Sequence, residues 1–183
     1  MLELSLHILD VLQNSIEAGA KRIELCIDER QEEDILRITV CDNGRGMSRE
    51  MSQKVLDPFV TTRTTRHVGL GLPLFAAAAQ RCNGGLSVDS TPGVGTTVTA
   101  TFQLSHIDRA PLGDLVSTLL AVMLSNETVD LHYRHSVDGR LFELDTEELR
   151  GALGPVPLSH PRVREWLKST LERGLASLQR PMP

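Results

Sequence analysis

The residues best suited to chemistry fall in four separated clusters. His7, Asp10 and Asn14 recur at spacings of three and four, which on a helix places them along one face. Asn14 offers an amide oxygen, and Asp10 a carboxylate one turn away. Magnesium is a hard ion that prefers oxygen and keeps several waters, so one neutral side-chain oxygen together with phosphates suffices to hold it. Asp10 is then placed to orient or deprotonate a water, with His7 one turn earlier on a similar face. Read alone, the same residues also describe a solvated polar face.

The second cluster is Asp42-Asn43-Gly44-Arg45-Gly46-Met47, directly after an alternating strand pattern. A carboxylate there can accept an exocyclic amine such as adenine's, and the glycines let backbone approach a flat ring. A plain strand-to-helix turn uses the same residues. The third cluster, Gly69-Leu70-Gly71-Leu72, opens a helix whose free N–H groups and dipole favour phosphate oxygens. It follows a Thr- and Arg-rich stretch with Thr62, Arg63 and Arg66, read as a mobile loop suited to cover phosphates, or as a solvated face. The fourth, Gly93-Val94-Gly95-Thr96-Thr97, joins two late strands. A hydroxyl of Thr97 or Thr96 can reach a base there, and the glycines also suit an ordinary tight hairpin.

The elements that must carry these clusters follow from periodicity. Leu4, Ile8, Val11, Leu12 and Ile16 repeat at helical spacing, which predicts an amphipathic helix up to Ala18-Gly19-Ala20. Residues 22–28 and 35–41 alternate apolar and polar, a β-hairpin pattern. Ser48 caps a short helix with Met51 and Val55 inward. A small-residue helix over 70–81 stops at Asn83-Gly84-Gly85, and strands follow at 86–90 and 96–104. Strands and helices are grouped rather than alternating, which predicts an α+β sandwich with a mixed or antiparallel sheet.

After about residue 105 the character changes. An apolar helix over 112–125 precedes a hairpin whose turn is Ser136-Val137-Asp138-Gly139. A short helix over 146–152, a stiff joint at Pro155 and Pro157, and an amphipathic helix over 161–178 follow. Its stripe of Val163, Trp166, Leu167, Leu171 and Leu175 is expected to face a core. The expected organisation is a first unit over residues 1–104 and a small extension over 105–183 that either packs on the sandwich or docks a partner.

Bulk properties exclude several classes. The 183 residues carry a net charge of −5, which argues against a broad nucleic-acid surface. Cys26, Cys41 and Cys82 lie far apart without a C-x-x-C pair, so zinc and a disulfide framework are poor readings and reduced thiols in the cytoplasm the better one. No apolar run reaches the roughly 18 residues that span a membrane, and the N-terminus lacks a signal-peptide pattern.

Taken together, the clusters resemble the GHKL superfamily of gyrase, the ninety-kilodalton heat-shock chaperones, histidine kinases and MutL. Gln13-Asn14-Ser15-Ile16-Glu17-Ala18-Gly19 is similar to the N box, and Asp42-Asn43-Gly44-Arg45-Gly46-Met47 to the G1 box. Asp57-Pro58-Phe59-Val60-Thr61-Thr62-Arg63 resembles the F box of histidine kinases, and Gly69-Leu70-Gly71-Leu72 their G2 box. Thr91-Pro92-Gly93-Val94-Gly95-Thr96-Thr97 resembles the last glycine–threonine box. The order matches over the first 104 or so residues.

The resemblance implies the Bergerat α/β sandwich and Mg·ATP binding. By it Asn14 holds magnesium and Asp42 reads adenine. Gly44, Gly46 and Met47 shape the base pocket. Thr62, Arg63, Gly69, Leu70, Gly71 and Leu72 border the phosphates, and Thr97 or Thr96 supports the base. Three departures qualify the activity. The hydrolysing branch has Glu four residues before the box Asn, where this chain has the shorter Asp10, which implies slow turnover. The loop is short, as in histidine kinases. No phosphoacceptor helix precedes the N box, so a kinase would act on a separate protein. The expected activity is weak ATP hydrolysis or a nucleotide-dependent switch, with a kinase acting in trans and a non-catalytic adaptor as alternatives. A protein partner is expected, and the oligomeric state is open.

Overall fold

The computed structural model describes residues 3–57 and 70–179. In chain order the elements are α1 (Leu4–Glu17), β1 (Arg22–Arg30), β2 (Ile35–Asp42), α2 (Arg49–Lys54), α3 (Gly71–Arg81), β3 (Gly85–Thr91), β4 (Gly95–Gln103), α4 (Leu115–Ser125), β5 (Asp130–Val137), β6 (Arg140–Asp145), α5 (Thr146–Leu153) and α6 (Pro161–Leu178). The predicted α+β sandwich is what forms. One six-stranded sheet has the order β3-β4-β2-β1-β5-β6. It is mixed because β5 lies parallel to β1, whereas every other neighbouring pair is antiparallel.

Strand parity decides which face is covered. Successive side chains of a strand point to opposite faces. Ile23, Leu25 and Ile27 of β1, Leu36, Ile38 and Val40 of β2, and Val98, Ala100 and Phe102 of β4 are all buried. They form one core cluster with Leu4, Ile8 and Leu12 of α1, Phe75 of α3, Leu119 of α4, Tyr133 of β5, and Leu167 and Leu171 of α6. The other face carries Glu24, Cys26, Thr39, Cys41 and Thr97 and has no helical cover among the described residues. The segment after residue 105 thus adds two strands to the same sheet and side chains to the same core.

Local signals set the element ends. Ser48 accepts the N–H of Met51 to cap α2, and Asp114 accepts the N–H of Ser117 to cap α4, which begins at Leu115 rather than Leu112. None of the α2 residues is fully buried; Met51 is half-buried, and Val55 just after the helix packs against the core. The β5–β6 turn has Asp138 at φ 49° and Gly139 at φ 83°, the left-handed pair of a two-residue type I′ turn. Trp166 departs from the predicted stripe and is 48% exposed. The buried line of α6 is Leu167, Leu171 and Leu178, and Trp166 lies roughly a third of a turn around the helix from its centre. No described helix is long and apolar enough to cross a membrane.

Candidate functional site

The turn after β2 is assembled by its own side chains. The carboxylate of Asp42 accepts the N–H of Gly44 on Oδ1 at 2.8 Å and the hydroxyl of Ser15 on Oδ2 at 2.7 Å. Asn43 points back, and its Oδ1 accepts the N–H groups of Lys21 at 2.8 Å and Arg22 at 2.9 Å. The N–H of Arg45 donates to the carbonyl of Ala18 at 2.9 Å. The Asp-Asn-Gly turn is therefore fastened to the end of α1 and the start of β1.

It is also locked into the β3–β4 hairpin. Gly46 has φ +66° and Gly95 φ +145°, both in the region that L side chains rarely adopt. A Cβ on Gly46 would overlap the carbonyl oxygen of Thr91, and one on Gly95 that of Asp42. The N–H of Gly93 donates to the carbonyl of Arg45 at 2.8 Å. Met47 contributes through its backbone, its N–H donating to Ser90 Oγ at 2.7 Å. Ser90 Oγ also lies 2.9 Å from Thr96 Oγ1.

Parity separates the two threonines. In the β2–β4 register Asp42 stands opposite Thr96 and Cys41 opposite Thr97. Thr96 therefore shares the helix-covered face with Asp42. The Thr97 hydroxyl donates to Cys41 Sγ at 3.3 Å, on the bare face, so Thr97 is not brought to the carboxylate.

The stripe on α1 faces α3. His7 stacks on Phe75 with ring centroids 4.9 Å apart and planes at 9°. Beside it, a Cβ on Gly71 would lie 3.2 Å from Cβ and 3.3 Å from Oδ2 of Asp10. The absence of a side chain at Gly71 thus lets α3 begin against the Asp10 carboxylate. Asn14 is half-buried one turn further along α1. No side chain among the described residues caps α3, whose opening N–H groups belong to Gly71 and Leu72, since Pro73 has none. Leu72 is buried and Leu70 exposed. Thr62, Arg63, Arg66 and Gly69 lie outside the described residues.

His7 is a core residue rather than a solvent-facing one. It is 4% exposed, and burial lowers its pKa from 6.5 to about 4, with the charge of Arg81 adding to the effect. Its Nδ1 has no hydrogen-bond partner among the described residues. The described residues contain no cluster of three His, Cys, Asp or Glu fit to hold a metal unaided. A neutral amide oxygen at Asn14 with a carboxylate one turn away instead suits a hard cation that arrives with its own phosphate ligands. A cleft of about 520 Å³ at the sheet end is lined by Glu24, Cys41, Asp42, Ser90, Thr96 and Thr97 among others, and Asp10, Asn14 and Gly71 are not part of its lining.

Two serines belong to this site without having been singled out from the sequence. Ser90 has no motif. Ser15 sits inside the first box, but only the register that brings α1 to β2 shows what its hydroxyl meets.

A one-sided mixed sheet with a fastened Asp-Asn-Gly turn, a glycine hairpin and a glycine-opened helix defines a nucleotide-binding sandwich. Residues 2–106 match the family described as histidine kinase-, DNA gyrase B- and HSP90-like ATPases. The chain belongs to that family, and the matched segment is its ATP-binding domain. Among curated relatives, the chain is 30% identical over 119 residues to the non-motile and phage-resistance protein of Caulobacter vibrioides, covering 60% of this chain and 14% of that protein. It is 34% identical over 93 residues to the signal transduction histidine-protein kinase AtoS of Escherichia coli, covering 50% and 15% respectively. It is 35% identical over 97 residues to the sensor histidine kinase WalK of Bacillus subtilis, covering 50% and 16%. The match thus spans a small fraction of these relatives' lengths. A crystal structure of the N-terminal domain of a DNA repair protein superposes with a TM-score of 0.58 at 15% identity, over 78% of this chain and 52% of that one, which speaks for the fold.

Proposed function

We propose that the protein binds Mg·ATP between α1, the opening of α3 and the Asp42 turn, and hydrolyses it slowly. The observation that supports this most is the fixed carboxylate of Asp42, held by Ser15 of the same helix that carries Asn14 and sets Asp10 against Gly71. Asp42 accepts the exocyclic amine of adenine, and the Thr96 hydroxyl on the same face is the better-placed supporting group. The N–H groups of Gly71 and Leu72 meet phosphate oxygens. Asn14 Oδ1 would hold magnesium, which when bound neutralises phosphate charge. Asp10 orients a water toward the terminal phosphorus and accepts its proton. Being a methylene shorter than Glu, it holds that water less favourably, so turnover is slow. The three free cysteines fit a cytoplasmic protein, and a protein partner reads the bound state.

The test is a nucleotide titration followed by phosphate release. Asp42→Asn should weaken ATP binding at least tenfold, because it puts an amide donor where an acceptor is needed. Asp10→Asn should abolish phosphate release while leaving ATP bound. Unchanged affinity in Asp42→Asn refutes the assignment of the base site. A second reading, phosphotransfer to a partner protein, draws on the names of the kinases it resembles. Label from γ-labelled ATP appearing on an added partner, without free phosphate, would favour it. ATP binding with neither outcome would leave a nucleotide-dependent adaptor.

A further inference from the structure

Ser15 stands in the last turn of α1 and is 3% exposed to solvent. Serine is a mediocre helix former, and a buried hydroxyl is costly unless it is hydrogen-bonded. Serines within a helix usually turn outward or bond the carbonyl four residues back. This one donates instead to Asp42 Oδ2, 27 residues away in sequence, at 2.7 Å. The other oxygen of the same carboxylate accepts the N–H of Gly44 at 2.8 Å. Two donors, one fixed by a helix and one by a turn, pin the carboxylate from both sides.

Resting on the reading of Asp42 as the base-contacting group, we propose that Ser15 is a positioning residue that determines base specificity. Held by Ser15 and Gly44, the carboxylate keeps one orientation, and its remaining lone pairs present acceptors only. A 6-amino purine offers a donor there. A 6-keto purine offers an acceptor and is rejected by an unpaired acceptor–acceptor contact. Without the Ser15 hydroxyl the carboxylate pivots about Gly44 and loses its aim at the amine. Because Ser15 follows Asn14 directly, α1 links this base contact to the proposed magnesium ligand.

The experiment measures the affinities of ATP and inosine triphosphate for the whole chain and for Ser15→Ala, with the unfolding midpoint of each nucleotide-free protein. The expected result is about a tenfold loss of ATP affinity, the worth of one hydrogen bond to a charged group. Inosine triphosphate affinity should change less than twofold, so the preference for ATP shrinks about tenfold. Equal losses for both nucleotides would mark Ser15 as merely structural and overturn the proposal, as would an unchanged preference. Should Ser15→Ala fail to fold, Ser15→Cys, a weaker donor of similar size, is read by the same ratio. If wild type does not discriminate and Asp42→Asn changes nothing, the base-site reading itself falls, and Ser15's role with it.

Discussion

At the scale of single residues, the α1 stripe shows how residues on one helix face meet different environments. His7, Asp10 and Asn14 share one side of a helix, yet α3 covers His7 with Phe75 and meets Asp10 with a glycine. Burial lowers the His7 pKa from 6.5 to about 4, which makes stability depend on pH with a definite sign. Between those two values the unfolded chain binds a proton that the folded chain refuses. Stability is therefore full above about pH 6.5 and falls as the pH drops toward 4. At pH 5 the loss from this group is about 2 kcal/mol. His7→Phe retains a flat ring for Phe75 and removes the titration. Denaturant unfolding at pH 7.5 and pH 5 should show the variant losing about 2 kcal/mol less than wild type over that interval. Equal losses would remove His7 as the source. The same burial makes His7 a structural support of the α1–α3 contact, which is why the proposed proton transfer is assigned to Asp10 alone.

Among the elements, the junction of the β2 turn with the β3–β4 hairpin carries a severe steric demand at two glycines. Gly95→Ala would place a methyl group onto the carbonyl of Asp42 at φ +145°. A destabilisation of at least about 3 kcal/mol is expected from overlap and backbone strain together. Gly93→Ala is the control. Its φ is +74° with nothing within 4 Å of the added Cβ, so only about 1–2 kcal/mol of left-handed backbone cost applies. Thermal or denaturant unfolding that ranks the two alike would contradict the clamp. The glycines were legible in the sequence because turns and close approaches need them, and the helices and strands because their periods differ. Parity was harder, because a two-residue Thr96-Thr97 run fits either face until its register with Asp42 is known. Trp166 misled for a related reason: the helical period defines a stripe but not its centre. The partner of Ser15 and the parallel pairing of β5 with β1 are contacts between distant segments, which no local spacing encodes.

For the whole molecule, the question is whether residues 1–104 form a free-standing unit. The five motif boxes end there, but the hydrogen bonds and the core do not. β1 pairs with β5 over Arg22–Glu29, and Leu4 and Ser5 donate to the carbonyls of Pro111 and Leu112 at 2.9 and 2.8 Å. Arg22 reaches Asp145 at 2.7 Å and Glu147 at 2.6 Å, while its backbone N–H is held by Asn43 beside Asp42. Removing residues 105–183 would open the edge of β1 and strip Leu119, Leu131, Tyr133, Leu167 and Leu171 from the core cluster. An exposed edge strand over an uncovered apolar face is an aggregation template. A chain ending at residue 104 should therefore unfold without a cooperative transition, bind a hydrophobic dye and bind ATP at least tenfold more weakly than the full chain. The full chain should unfold in a single step, with circular dichroism and dye binding changing together. A truncated chain that melts sharply and retains full ATP affinity would mean that the extension is a removable addition, and that its two strands complete the sheet without being needed for it.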